Sequence, residues 1–94
     1  MKPIESHKAQ KELRRLCAAN GIDFSIEPVR GGGSHRAAVF TDPNTGRGFS
    51  FTFPAGKEIS PGVQRHAIRY VESLIGKAPR AEIVKRILES VFSS

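Results

Sequence analysis

Apolar residues recur at three- and four-residue steps in three stretches of this chain and at every second residue in three others. In SHKAQKELRRLCAANG, Ala9, Leu13, Leu16 and Cys17 share one side, which predicts an amphipathic helix over about 7–20. Ser6 can cap its start, and Gly21 stands just past its end. IDFSIEPV then alternates Ile22, Phe24 and Ile26 with Asp23, Ser25 and Glu27, as a half-buried strand does. Pro28 places the end of that strand, or marks it as an edge. HRAAVFT and RGFSFTF predict two further strands, and DPNTG between them has the residues of a tight turn, so the two form an antiparallel hairpin.

PAGKEIS reads as a loop into SPGVQRHAIRYVESLIG. There Ser60 suits the N-cap, Pro61 the first helical position, and Val63, Ala67, Tyr70, Val71 and Leu74 the apolar stripe of a helix ending at Gly76. In PRAEIVKRILESVF, Pro79 opens an additional C-terminal helix, about 79–92, with Ile83, Val84, Ile87, Leu88, Val91 and Phe92 on one side. The order is helix, three strands, helix, helix. Residues 1–94 carry no internal repeat, low-complexity tract or long linker, so the expected fold is a single α+β domain. Helices packed on one face of a three-stranded antiparallel sheet leave its other face to solvent or a ligand.

Composition narrows the class. Ninety-four residues share one core, and a lone cysteine, Cys17, has no internal disulfide partner, which fits a reducing cytoplasm. The sequence holds no apolar run of membrane-spanning length, and MKPIESHKAQ lacks the apolar stretch of a secretory signal, so a cytoplasmic location away from the membrane is expected. The net charge of +6 is concentrated in the middle: Arg30, Arg36, Arg47, Lys57, Arg65 and Arg69 stand against Asp42 and Glu58. Clustered positive charge recruits polyanions, nucleic acid first among them, although acidic proteins answer the same field.

Proton chemistry near neutrality points to histidine. His35 follows Gly31, Gly32, Gly33 and Ser34 and precedes Arg36, a sequence whose glycines can admit a phosphodiester and whose backbone N–H groups can bind its oxygens. The same glycines also serve as a plain hairpin connection with His35 as its first ordered residue. His66 lies inside a helix beside Ala67, where a structural role is expected, and His7 sits at an end expected to fray and is assigned no role. AGKE lacks the spacing and the Ser or Thr of a nucleotide-binding P-loop. The cysteine and histidine spacings suggest no zinc ligands and the scattered carboxylates no magnesium site, so neither metal nor cofactor is expected. Phe49, Phe51 and Phe53 have the alternation of a base-stacking platform, but a chain with six phenylalanines and no tryptophan needs those rings in its core.

Taken together, GGGSHRAAVF, a turn, a third strand, GKEISPG and QRHAIRYVESLIG resemble the HicA family of toxin ribonucleases of bacterial toxin–antitoxin pairs, over about residues 7–76. The resemblance implies a double-stranded-RNA-binding-domain-like fold, cleavage of messenger RNA, and silencing by a HicB-type antitoxin. It places the family's catalytic histidine on His35, its glycines on Gly32 and Gly33 beside Ser34, and Lys57 in the Gly-Lys-Glu segment. Members often carry another histidine shortly before that segment; this chain has FPAGKE.

The expected function is therefore a metal-independent endoribonuclease in which His35 takes the proton of a ribose 2′-hydroxyl as general base. Backbone N–H groups around Gly32 and Gly33, with Arg36 or Lys57, would stabilise the phosphoryl charge. The proton for the leaving 5′-oxygen has no assigned source: Lys57, protonated His66 and water are the alternatives. A non-catalytic RNA-binding module on the same basic face is the second reading, and a protein-interaction domain that uses its last helix is the third.

Overall fold

The structure, a computed structural model, describes residues 1–54 and 56–92. The elements in chain order are β1 (Ile4–Glu5), α1 (Ser6–Ala19), β2 (Asp23–Pro28), β3 (His35–Thr41), β4 (Gly48–Pro54), β5 (Glu58–Ile59), α2 (Pro61–Ser73) and α3 (Ala81–Phe92). The fold is α+β: an N-terminal helix, a three-stranded antiparallel sheet, then two helices. The sheet has the order β2-β3-β4, so β2, which Pro28 terminates, is an edge strand. The hairpin forms as expected, closed by Asp42 and Arg47 and by the Asp42 carboxylate accepting from the Asn44 N–H at 3.0 Å.

Side-chain alternation sorts the sheet into two faces. Ala38, Phe40 and Phe53 are buried against the helices, with Phe24, Ile26, Phe49 and Phe51 half-buried on the same side. The phenylalanines therefore belong to the core and its margin, where Phe40 stacks with Phe49 and Phe51 at centroid distances of 5.5 and 5.7 Å. The other face carries Ser25, Glu27, Ala37, Val39, Ser50 and Thr52 and has no aromatic platform. On the helical side, α3 packs against both α1 and α2, and Val84, Leu88, Val91 and Phe92 are all buried. The apolar face of the last helix is thus buried in this domain's own core.

Four local features depart from the sequence reading. Ser6 is not the cap of α1; the N-cap is Glu5, without a side-chain cap bond, and Ser6 is a buried helical residue. At the other end, Gly21 and Ile22 donate to Ala18 and Cys17, a Schellman closure that stops α1 at Ala19. Tyr70 leaves the expected apolar stripe of α2 and is 38 % exposed, whereas Gln64 is fully buried. Gln64 tolerates that position because its Nε2 donates to the carbonyls of Lys2 and Ile59, at 2.7 and 2.8 Å. Ser60 and Pro61 do start α2, with the Ser60 hydroxyl accepting from the Val63 N–H, and the helix stops at Ser73, short of Gly76. Finally, β1 and β5 pair antiparallel, Ile4 with Ile59 and Glu5 with Glu58, in segments read as a frayed end and a loop.

Candidate functional site

The stretch that links β2 to β3 is two successive tight turns. The Gly32 N–H donates to the Val29 carbonyl at 2.9 Å, with Gly31 at φ +68 in the third position, the type II arrangement. The His35 N–H then donates to the Gly32 carbonyl at 2.8 Å, with Gly33 at φ +58 in the second position, the type II′ arrangement. Gly32, the corner they share, is excluded from bearing a side chain by contact: a Cβ there would stand 2.9 Å from the Val29 Cβ. The glycines are thus a rigid requirement of this backbone path and not a slack connection.

That path holds the imidazole of His35. Its Nδ1 lies 3.2 Å from the Gly32 carbonyl oxygen, the same oxygen that accepts the His35 N–H. A carbonyl only accepts, so in the neutral ring Nδ1 carries the hydrogen and Nε2 keeps the lone pair. The residue is exposed, and Nε2 is a base open to an incoming ligand.

Arg36 points to the opposite side of β3 and folds back on the turn, where its Nη1 donates to the carbonyls of Gly33 and His35 at 3.0 and 2.9 Å. Its clearest work is to hold the loop. The Gly32 N–H is already satisfied by Val29 and is not available to a phosphoryl oxygen, contrary to the expectation from sequence. Among the described residues, the N–H groups of Gly33 and Ser34 carry no backbone hydrogen bond and remain for that purpose.

Lys57 reaches the same end of the molecule by a different route. His35 stands directly opposite Pro54 in the β3–β4 ladder, and Lys57 follows three residues beyond Pro54, with its side chain exposed. The Lys57 carbonyl accepts the Ser6 N–H at 2.7 Å, and the Ser6 hydroxyl lies 3.5 Å from the Pro54 carbonyl. Ser6 thereby ties the first turn of α1 to the end of β4. An open groove results, lined by Glu5, His7, Gly56, Lys57 and Glu58. His7, dismissed on the sequence as a residue of a frayed end, lines it with an exposed ring. His66 instead sits exposed on α2.

The charge distribution also differs from the linear reading. Exposed Lys8, Lys11, Arg14 and Arg15 on α1 form a second positive face beside the central arginines, with Lys8 paired to Glu5 and Arg15 to Glu12. Spread over two helical turns, these residues look unremarkable in sequence; the helix gathers them on its outer side. Among the described residues, no three His, Cys, Asp or Glu side chains converge into a set that could hold a metal, and no helix is long and apolar enough to cross a membrane. Comparisons with known protein families, with curated proteins and with solved structures returned no match.

Proposed function

We propose that this protein is an endoribonuclease that cleaves RNA by general acid–base chemistry without a metal ion. The observation that carries the reading is the Nδ1 contact of His35 with the Gly32 carbonyl, which leaves Nε2 as the exposed ring nitrogen able to accept a proton. His35 takes the proton of a ribose 2′-hydroxyl; the 2′-oxygen bonds to the adjacent phosphorus as the bond to the 5′-oxygen breaks. The products are a 2′,3′-cyclic phosphate and a 5′-hydroxyl. The N–H groups of Gly33 and Ser34 and the ammonium of Lys57 offer positive partial or full charge to the phosphoryl oxygens. DNA lacks the attacking hydroxyl and is not a substrate.

The resemblance of residues 7–76 to HicA toxins supplies the biological reading: messenger RNA as target, the cytoplasm as the place of action, and a HicB-type antitoxin that silences the protein. The test compares wild type and His35→Ala, both shown to be folded by circular dichroism, on single-stranded RNA in excess chelator. Wild type is expected to leave 2′,3′-cyclic ends and the variant to lose about 10²-fold or more in rate. Equal cleavage by the two removes His35 from the mechanism. Chelator-sensitive cleavage overturns the metal-free route, and tight binding with no cleavage by wild type makes the protein a non-catalytic RNA-binding module.

A further inference from the structure

We infer that the RNA strand lies along the seam between β3 and β4 on the helix-free face of the sheet, with the Thr52 hydroxyl donating to a phosphate oxygen next to the scissile one; the inference rests on the endoribonuclease reading above. Alternation puts His35 on that face with Ala37 and Val39, because Ala38 and Phe40, which lie between and beyond them, are buried against the helices. A substrate that meets the exposed ring of His35 therefore meets this face. Register supplies the neighbours: Thr52 stands opposite Ala37, and Ser50 opposite Val39. The bond from the Asp42 N–H to the Arg47 carbonyl makes both of these the non-hydrogen-bonded kind of pair, with Cα atoms about 4.5 Å apart. Thr52 is thus the diagonal neighbour of His35, about 7–8 Å away and on the same side of the sheet.

Charge and shape select the β4 side of that face over the β2 side. On β2 the face carries Asp23 and Glu27, both exposed, and the Glu27 carboxylate accepts from the Ser25 hydroxyl at 2.9 Å. Carboxylates repel a phosphate chain. On β4 it carries the exposed hydroxyls of Thr52 and Ser50, which are neutral and donate to anionic oxygens. Ala37 and Val39 form the floor beside them, so no long side chain holds a sugar–phosphate backbone off the seam. Residues on one face of a strand recur about every 7 Å, a step that one nucleotide of an extended strand spans. The levels of His35, Thr52 and Ser50 then meet successive nucleotides. With no aromatic ring on this face, the contacts are to sugar and phosphate and not to stacked bases. The helix α1 packs on the opposite face, so its basic side chains act on the RNA at longer range.

The experiment uses RNA oligonucleotides with a mapped cleavage position and one stereodefined phosphorothioate at either phosphate flanking the cut. Thr52→Val keeps the size and branching of an exposed strand residue, and circular dichroism checks its folding. The variant is expected to lose about 10-fold in kcat/KM on all-oxygen RNA, the size of a hydrogen bond to a charged group. At one flanking phosphate, sulfur is expected to slow wild type and to cost the variant nothing further, because the contact is already gone. Binding is read in the His35→Ala background: Ser50→Glu, which sets a carboxylate on the seam, is expected to weaken it about 10-fold or more, and Glu27→Gln to strengthen it. Thr52→Val that cuts at the wild-type rate, sulfur losses that multiply at both positions, or Ser50→Glu with undiminished affinity overturns the assignment while leaving His35 in place. Wild type inactive on all of these RNAs overturns the endoribonuclease reading itself, and this inference with it.

Discussion

The Gly32 carbonyl oxygen receives two hydrogens from His35, one from its backbone N–H at 2.8 Å and one from Nδ1 at 3.2 Å. One residue thus fixes both the start of β3 and the tautomer of the ring that starts it. The neutral imidazole is expected to be the Nδ1–H form, the less common one for histidine free in water. Nitrogen-15 two-bond correlation spectra of neutral His35 would check this; an Nε2–H pattern would refute the contact.

Gly33 has room for a side chain, but its φ of +58 is a backbone conformation that residues bearing one rarely adopt. Alanine at φ +58 costs about 1–2 kcal/mol, and relief of that strain rotates the peptide that sets the turn. Gly33→Ala is expected to lower the melting temperature by roughly 4–8 °C per kcal/mol for a domain of this size and to reduce cleavage beyond what the unfolded fraction explains. Thermal melts paired with rates measured well below the transition separate the two effects.

Ser60 caps α2 through the Val63 N–H at 3.2 Å. Ser60→Ala is expected to cost about 1 kcal/mol, read as a lower denaturation midpoint with unchanged slope, and to leave the rate of folded protein unaltered. A large rate loss at full folding would mean that the start of α2 takes part in binding substrate.

Cys17 lies fully buried in the core, and burial pushes its thiol up to about 11. The native state therefore holds the proton more tightly than the unfolded chain does. Stability from this group is complete below about pH 8.5 and is lost as pH rises through 11. Thiol reagents at pH 8 are expected to label the protein only at the rate of unfolding, and a denaturant series of labelling rates would test it.

The basic face of α1 should govern affinity more than chemistry. Lys11→Glu is expected to weaken RNA binding and flatten its dependence on salt, because fewer counterions are released. The rate at saturating RNA should change little. Binding isotherms at two or three salt concentrations would show it, and an unchanged salt slope would place the RNA elsewhere.

Much of the fold was legible along the chain. The 3.6-residue stripes of α1 and α3, the alternation in β2 and the Ser60–Pro61 start of α2 are local signals, and the structure keeps them. Tyr70 was placed on the apolar stripe, and Gln64 was not, because hydropathy ranks tyrosine above glutamine, while the buried amide found two carbonyls, one of them 62 residues away. The strands β1 and β5 were missed because two residues carry no period to read.

The candidate site divides in the same way. The residues of GGGSHR and the identity of His35 as a candidate base were legible in the sequence, whereas the need for glycine at its turn positions came from the backbone path itself. Which nitrogen of His35 is free, that Arg36 braces the loop, and that His7 lines the Lys57 groove were decided only by tertiary structure. The physical reason is range: the Ser6 hydroxyl and the Pro54 carbonyl meet across 48 residues of chain, and their proximity depends on how α1 packs on the sheet rather than on any pattern near either residue.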